Sequence, residues 1–456
     1  MAERPALAPR PGTTGPPVPA SSGPRAARQP VLPLICGTTA CLLPILRPAG
    51  PGNTAAADLG IIAAIVCGLL WAVRERLPVR FPYAAGVVVM MLGGALASAL
   101  ADAPASTAVP LLQDLLLLLW AATLALGRHD PAIIRATIHA WCRFVPIYCT
   151  VVVLAYLIGF SALSGVNASN GSRASYTFYD PNLAGNYLVV SLFIMVAGKR
   201  PRSPGVRRAA YAIVLVAIAF TGSNGAMLTL LVGATLVFTI FRYRTQGPFG
   251  ALMALSTAVA AAAAFITLVL PHVDVEQLRE DAANSIPLLR DSVGRSAGST
   301  SERQDILVEG SRLYFRGDAM GYGPALTKAH LEQSQAPYVK EAHNDYLATL
   351  LERGVVGMLG LILLGFAIGT RSVRVLVGRV PDVLADAVPR AWVLPVVFPV
   401  MAVAASFYEV LHFRHLWTWL GILAAVALTM RDERTSERAA ARAAVIAARD
   451  REVAGE

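Results

Sequence analysis

Apolar stretches separated by short polar turns recur along almost the whole chain, near residues 31–46, 58–73, 84–101, 108–126, 144–160, 182–198, 209–222, 225–241, 249–270, 347–369, 390–408 and 415–430. Hydrocarbon about 30 Å thick needs roughly 20 apolar residues per helix. The pattern therefore predicts an all-α integral membrane protein of about twelve transmembrane helices, with residues 31–430 as the polytopic membrane domain. Residues 1–30, rich in Pro, Ala, Gly and Arg and without an apolar core, are expected to be a disordered cytoplasmic tail, not a cleavable signal peptide. Residues 431–456, "RDERTSERAAARAAVIAARDREVAGE", read as a charged, helical cytoplasmic tail.

One connection breaks the rhythm of short turns. Residues 271–346, between the ninth and tenth windows, form a large loop, and loops of this length are functional or disordered. The segment "SERQDILVEGSRLYF" puts Ile306, Leu307, Gly310, Leu313 and Tyr314 on one helical stripe after Ser301, a candidate cap, and "VDVEQLREDAANSIPLLRDSV" is also compatible with helix. Gly321, Gly323 and Pro324 then signal turns. A helical extracytoplasmic loop covering the outer membrane face is the expected arrangement.

A chain of 456 residues would suggest several soluble domains, but 55% hydrophobic and 15% charged residues, with a mean hydropathy of +0.56, exclude that class. Basic residues near span ends are retained in the cytoplasm. Arg74, Arg76 and Arg80, Arg128 and Arg135, the run from Lys199 to Arg208, Arg242 and Arg244, and Arg371, Arg374 and Arg379 all fall on alternate connections, which assigns those connections and both termini to the cytoplasm of a bacterial cell membrane. The opposite short connections carry almost no base, Arg173 alone in 161–181. The net charge of +10 is mostly this topological signal, so no nucleic-acid partner is implied. Cys36, Cys41, Cys67, Cys142 and Cys149 lie in or beside apolar windows without metal-ligand spacing, and no cofactor is expected.

The candidate chemistry lies on the outer side. His343, in "EAHNDYLATLLERGVVG", stands where the large loop hands over to the tenth window, flanked by Glu341 and Asp345. Such a histidine reads either as a polar residue at an interfacial helix start or as a general base, since a neutral imidazole accepts a proton from a hydroxyl and a neighbouring carboxylate orients the ring. Arg290, Arg295 and Arg303 on the loop each read singly as a solvated face; together they suit an anionic, lipid-linked substrate such as a diphosphate. Arg173 precedes the Asp180–Pro181–Asn182 turn and pairs either with such a substrate or with a carboxylate such as Asp180. Ser223, Asn224 and Gly225 occupy a tight outer turn, and Glu409, His412, Arg414 and His415 another. Asp114 and the Glu352–Arg353 pair, costly in lipid, are expected to face the bundle interior. No Walker loop, HExxH, nucleophile elbow or Asp-x-Asp pair outside the membrane accompanies them.

"HNDYLATLLERGVVGMLGLILL" resembles the His-Asn-x-Tyr/Phe-Leu…Glu-x-Gly signature of the O-antigen ligase and polymerase superfamily, membrane glycosyltransferases acting on polyprenyl-diphosphate-linked glycans. "RASYTFYDPNLAGNYL" and "ERQDILVEGSRLYFRGDAMGYGPA" are similar to two further segments of that family, and the likeness covers residues 173–365. The resemblance implies a bundle of about twelve spans whose outer loop covers a groove for the lipid donor, His343 as the base that activates an acceptor hydroxyl, Arg303 as a diphosphate ligand, and inverting transfer without a metal. The acceptor would be a glycan, a glycolipid or a cell-wall polymer. Family members often carry arginine directly after Ser or Thr in the turn that here reads Ser223–Asn224; Arg173 or Arg414 would then supply the second charge, with Asn224 at the substrate. A glycan transporter or flippase would call for internal repeats or broken central spans, which the sequence does not display, and a non-catalytic membrane subunit would follow if the missing arginine abolished activity.

Overall fold

The computed structural model describes residues 29–47, 54–101, 104–168, 170–272, 298–317, 319–333 and 343–454, with isolated positions between 274 and 284. Residues 1–28 of the expected tail, Glu341, Arg290 and Arg295 lie outside the described residues. The principal elements are the helices α1 (Val31–Leu42), α2 (Ala56–Arg74), α3 (Ala84–Leu100), α4 (Pro104–Ala125), α5 (Pro131–Leu157), α6 (Pro181–Gly198), α7 (Pro204–Phe220), α8 (Asn224–Ala264), α9 (Gly298–Arg316), α10 (Thr327–Gln333), α11 (Asp345–Val377), α12 (Val397–Ala404) and α13 (Arg414–Ala454). No strand occurs among the described residues; an isolated bridge joins Asn167 and Gly171.

Among the described residues, six segments are long and apolar enough to cross a membrane: Ala56–Arg74, Thr107–Arg128, Pro131–Leu157, Pro181–Gly198, Asn224–Leu268 and Asp345–Val377. Val31–Leu42, Ala84–Leu100 and Ala391–Ala404 are apolar but shorter. The windows expected at 225–241 and 249–270 share the single element α8, which turns at Gly247 (φ 72°, ψ −164°) ahead of Pro248. The last window continues without interruption into the charged segment, so α13 runs on through Ala454.

Helix starts follow local chemistry. Asp130 and Asp180 each precede a proline at the first helical turn, where proline loses no needed hydrogen bond. Their carboxylates accept from Ala132 N at 3.0 Å and from Asn182 N at 2.7 Å. Asp180 thus serves as a helix cap.

Four fully buried tryptophans hold the bundle together, and three of them donate across helices: Trp120 to Thr418 Oγ1, Trp141 to Ser191 Oγ and Trp419 to the Leu394 carbonyl, at 2.9, 2.9 and 3.0 Å. Helices α3 and α11 approach until their backbones touch. A Cβ on Gly93 would lie 2.5 Å from Gly357 N, and one on Gly360 2.4 Å from Met90 N. Small residues permit this close contact, the main source of helix association where lipid removes the hydrophobic drive. Beside this seam the buried Arg353 guanidinium pairs with the Asp114 carboxylate of α4, so both residues do face the interior.

Helix α11 is broken one residue later. Gly354 takes φ +61° and ψ −164°, and the freed backbone groups are taken up by residues 319–323. Val355 N donates to Ala319 O (2.9 Å), Tyr322 N to Leu351 O (2.8 Å) and Gly323 N to Glu352 O (3.1 Å). A side chain at Gly354 would collide with Ala319 O at 2.3 Å, so glycine is required on steric as well as conformational grounds. The turn predicted at 321–324 is therefore a clasp on the helix carrying the histidine motif. Helix α9, which starts three residues ahead of the predicted Ser301 cap, docks on the same helix: a Cβ on Gly310 would lie 2.8 Å from Leu347 Cδ2.

Candidate functional site

His343 is exposed and has a left-handed backbone, φ +45°. Histidine is among the residues that tolerate this region, and such conformations concentrate at functional sites. The turn brings the chain into α11, whose cap is Asn344: its Oδ1 accepts from Tyr346 N at 2.9 Å and Leu347 N at 3.0 Å.

The three residues after His343 are each fastened to the last turn of α12 or to the segment that follows it. Asn344 Nδ2 donates to Ser406 O (3.3 Å), Asp345 N to Ala405 O (2.8 Å) and Tyr346 Oη to Ala402 O (2.9 Å). The Asp345 carboxylate, 3% exposed, accepts from Val410 N at 2.7 Å and from Leu411 N at 3.5 Å. The sequence suggested that a flanking carboxylate would orient the imidazole; Asp345 is instead committed to the 410–411 backbone. An exposed side chain on a rigidly held backbone results.

Arg173 is 7% exposed. Its Nε donates to Thr221 O at 3.0 Å and its Nη2 to Asn182 Oδ1 at 2.9 Å, joining the 161–180 connection to the turn before α8. In that turn Ser223 caps α8, accepting from Ala226 N at 3.2 Å, and its hydroxyl lies 3.3 Å from Tyr408 Oη. Asn224 is exposed as the first residue of α8. Gly225 is packed under the Tyr408 ring: a Cβ there would lie 2.3 Å from Tyr408 Oη. Arg173, the 221–225 turn and the His343–Asp345 motif are thus linked through one piece of backbone, residues 402–411.

Arg414 is placed otherwise. Its fork binds the Asp58 carboxylate of α2 bidentately, Nε to Oδ1 and Nη2 to Oδ2, both at 2.6 Å. His415 turns inward against Asn186 Oδ1 at 2.8 Å and stacks edge-on to Tyr187. Residues 414 and 415 therefore tie α13 to α2 and α6. Arg303 lies in α9, seven residues before Gly310, about 10 Å along the helix axis from the contact with Leu347.

Below Asp345 and Tyr346 opens a cavity of 240 Å³ between α11, α12 and the start of α13. Leu361, Ile368, Phe398, Met401 and Trp419 line it, and among the described residues Asp345 is the only carboxylate on its wall. Gly365, also lining it, faces open space: a Cβ there would meet nothing within 4 Å. The groove is concave and almost wholly apolar, with the start of α11 at one end.

Sequence reasoning singled out His343, Arg173 and the 223–225 turn as candidates but did not foresee the Asp345 clamp, Tyr408's place over Gly225, the Gly354 break or the groove. Gly365 and Gly369, at i and i+4 in an apolar run, were the one available sign of a notch.

Residues 209–362 match the family model described as O-antigen ligase. The matched region contains α8, α9, α10 and the histidine half of α11, including His343. No curated protein matches the chain significantly.

Proposed function

We propose that this multispanning membrane protein, which carries an O-antigen ligase domain, is a glycosyltransferase that moves a glycan from a polyprenyl diphosphate to an acceptor hydroxyl. The observation that carries the reading is the apolar groove beginning two residues after His343. A polyprenyl chain lying along α11 and α12 would end beside Asp345 and Tyr346, presenting its diphosphate and first sugar to the exposed histidine.

Neutral His343 accepts the proton of the acceptor hydroxyl as that oxygen attacks the anomeric carbon. The carbon–oxygen bond to the diphosphate breaks on the opposite face, its electron pair leaves with the diphosphate, and the configuration inverts. The charge developing on the leaving group is stabilised by arginine, with Arg303 on α9 the first candidate and Arg290 and Arg295 on the same loop as further ones. Preorganised countercharge of this kind is worth several kcal/mol at a developing anion, and the scheme calls on no metal. Arg173 and Arg414 are engaged inside the bundle, so their part is to hold the 221–225 turn and the α13 start in place. Asn224 stands at the first turn of α8, where its exposed amide is available to the donor or acceptor. The reaction takes place at the outer face of the cytoplasmic membrane, with about twelve crossings and both termini inside.

The test is reconstitution in vesicles with a labelled polyprenyl-diphosphate oligosaccharide and a panel of acceptors. Loss of glycan transfer in His343→Ala, with an unchanged melting curve, supports the assignment. Transfer by that variant at the wild-type rate overturns it.

A further inference from the structure

At the end of α6 away from Asp180, a second group of charges converges on one carboxylate. Asp386, in the connection before α12, pairs with Arg202 Nη2 at 2.6 Å and Arg200 Nη2 at 3.5 Å, and lies 4.0 Å from His139 Nε2. The Arg200 side chain is only 11% exposed and also donates to His139 Nε2 at 2.5 Å and to the Asp386 carbonyl at 3.2 Å. On α5, Arg135 and Arg143 stand one turn before and one turn after His139, both exposed, and Arg135 Nη2 reaches Val383 O at 3.5 Å.

Four arginines, 135, 143, 200 and 202, against one carboxylate, 386, leave three positive charges in excess at this spot. A topological bias explains why arginines lie at this end of the spans. It does not explain why one is buried, or why two separate segments bring theirs to one place. Guanidinium groups held this way repel one another and gain from an anion that receives several planar N–H donors at once, as phosphate does.

What adjoins the cluster selects the kind of phosphate. From Arg143 the same face of α5 continues through Ile147, Val151 and Leu154, which are 63, 47 and 55% exposed in a helix of membrane-spanning length. A free ion has no use for that stripe; an acyl chain does. We propose that this cluster binds the headgroup of an anionic phospholipid, its phosphate among Arg135, Arg143, Arg200 and Arg202 and its acyl chains along Ile147, Val151 and Leu154. Basic pockets between spanning helices take anionic lipids by this combination of charge and apolar surface. The site is separate from the His343 groove and independent of the glycan-transfer reading.

Full-length protein, delipidated in neutral detergent, would be melted by tryptophan fluorescence with added phosphatidylglycerol or cardiolipin, with phosphatidylcholine, and with inorganic phosphate, while native mass spectrometry counts bound lipid. Arg135→Gln/Arg143→Gln is the matched variant, because both side chains are exposed and leave the packing intact. The proposal expects the anionic lipids to raise the melting temperature by several degrees and remain bound, and the variant to lose at least half of that shift. An equal shift with phosphatidylcholine, or an undiminished one in the variant, overturns it. A full shift with inorganic phosphate alone would make this a simple anion site and overturn the lipid assignment.

Discussion

The Asp345 carboxylate accepts the backbone N–H of Val410 at 2.7 Å, across a sequence separation of 65 residues. A buried carboxylate spent on backbone amides does in this place what a turn would otherwise have to do: it fixes where the α12–α13 connection meets the start of α11. The residue lies next to the histidine motif, yet its contacts are those of a clamp.

Asp345→Ala should therefore act on stability first. It strips Val410 and Leu411 of their acceptor in a buried setting, which costs roughly 1–3 kcal/mol for a group left unsatisfied. Thermal unfolding of the purified protein in detergent should show the loss, and Asp345→Asn, which keeps one acceptor oxygen, should recover part of it. A melting temperature equal to wild type in Asp345→Ala would show that the amides find other partners.

The groove gives the opposite signature. Gly365→Leu introduces a side chain into space where nothing lies within 4 Å, and within a helix the change also removes the glycine penalty of about 1 kcal/mol. Stability should hold or rise while KM for a long-chain polyprenyl donor increases several-fold. A donor with a truncated prenyl chain should be much less affected. Steady-state transfer kinetics with the two donors would decide; equal sensitivity to the substitution would mean that the chain lies elsewhere.

Arg414 and Asp58 form a largely buried, bidentate pair, their side chains 17 and 8% exposed. Removing one partner leaves the other charge uncompensated, at a cost of about 3–5 kcal/mol. Arg414→Gln and Asp58→Asn should each lower the melting temperature strongly, and the double variant should cost much less than their sum. Additive losses in that double-mutant cycle would show that Arg414 works with something other than Asp58.

Parts of this molecule were readable in the chain because the physics is local. Apolar windows specify helices wherever they occur, Asp before Pro specifies a helix start, and His-Asn before an apolar run specifies a capped helix with its histidine just outside. Arg173 and Arg414 show where that reasoning stops. Each reads from sequence as a cation near an outer turn, and each is engaged by groups far along the chain, Arg173 by Thr221 and Arg414 by Asp58. The same holds for the clamp, whose partner lies 65 residues away, and for Gly354, whose broken helix is intelligible only with residues 319–323 beside it. Long-range pairing of polar groups has no periodicity to betray it.

At the opposite end, the hydrogen bond from Arg202 holds the Asp386 carboxyl below its usual range. A carboxyl shifted downward stabilises the fold fully above its ordinary pKa, about 3.9, and loses that contribution only as pH falls through the lower folded value. The melting difference between wild type and Asp386→Asn should thus stay constant from about pH 5 to about pH 8 and narrow only in stronger acid. A difference that changes across the neutral range would mean that another titrating group, with His139 the nearest, governs the cluster.

Residues 402–411 belong at once to the wall of the groove and to the mounting of the histidine turn. Ala402, Ala405, Val410 and Leu411 all line the cavity, and the same four supply the backbone groups that hold Asp345 and Tyr346. Whatever occupies the groove therefore presses on the bracket that carries His343. Were the proposed lipid chain to lie there, one that fits would leave the bracket square, and one too bulky would push α12 away from α11 and carry the imidazole with it. On the proposed reading, recognition of an inert tail and aim at a reactive sugar would be the same mechanical fact.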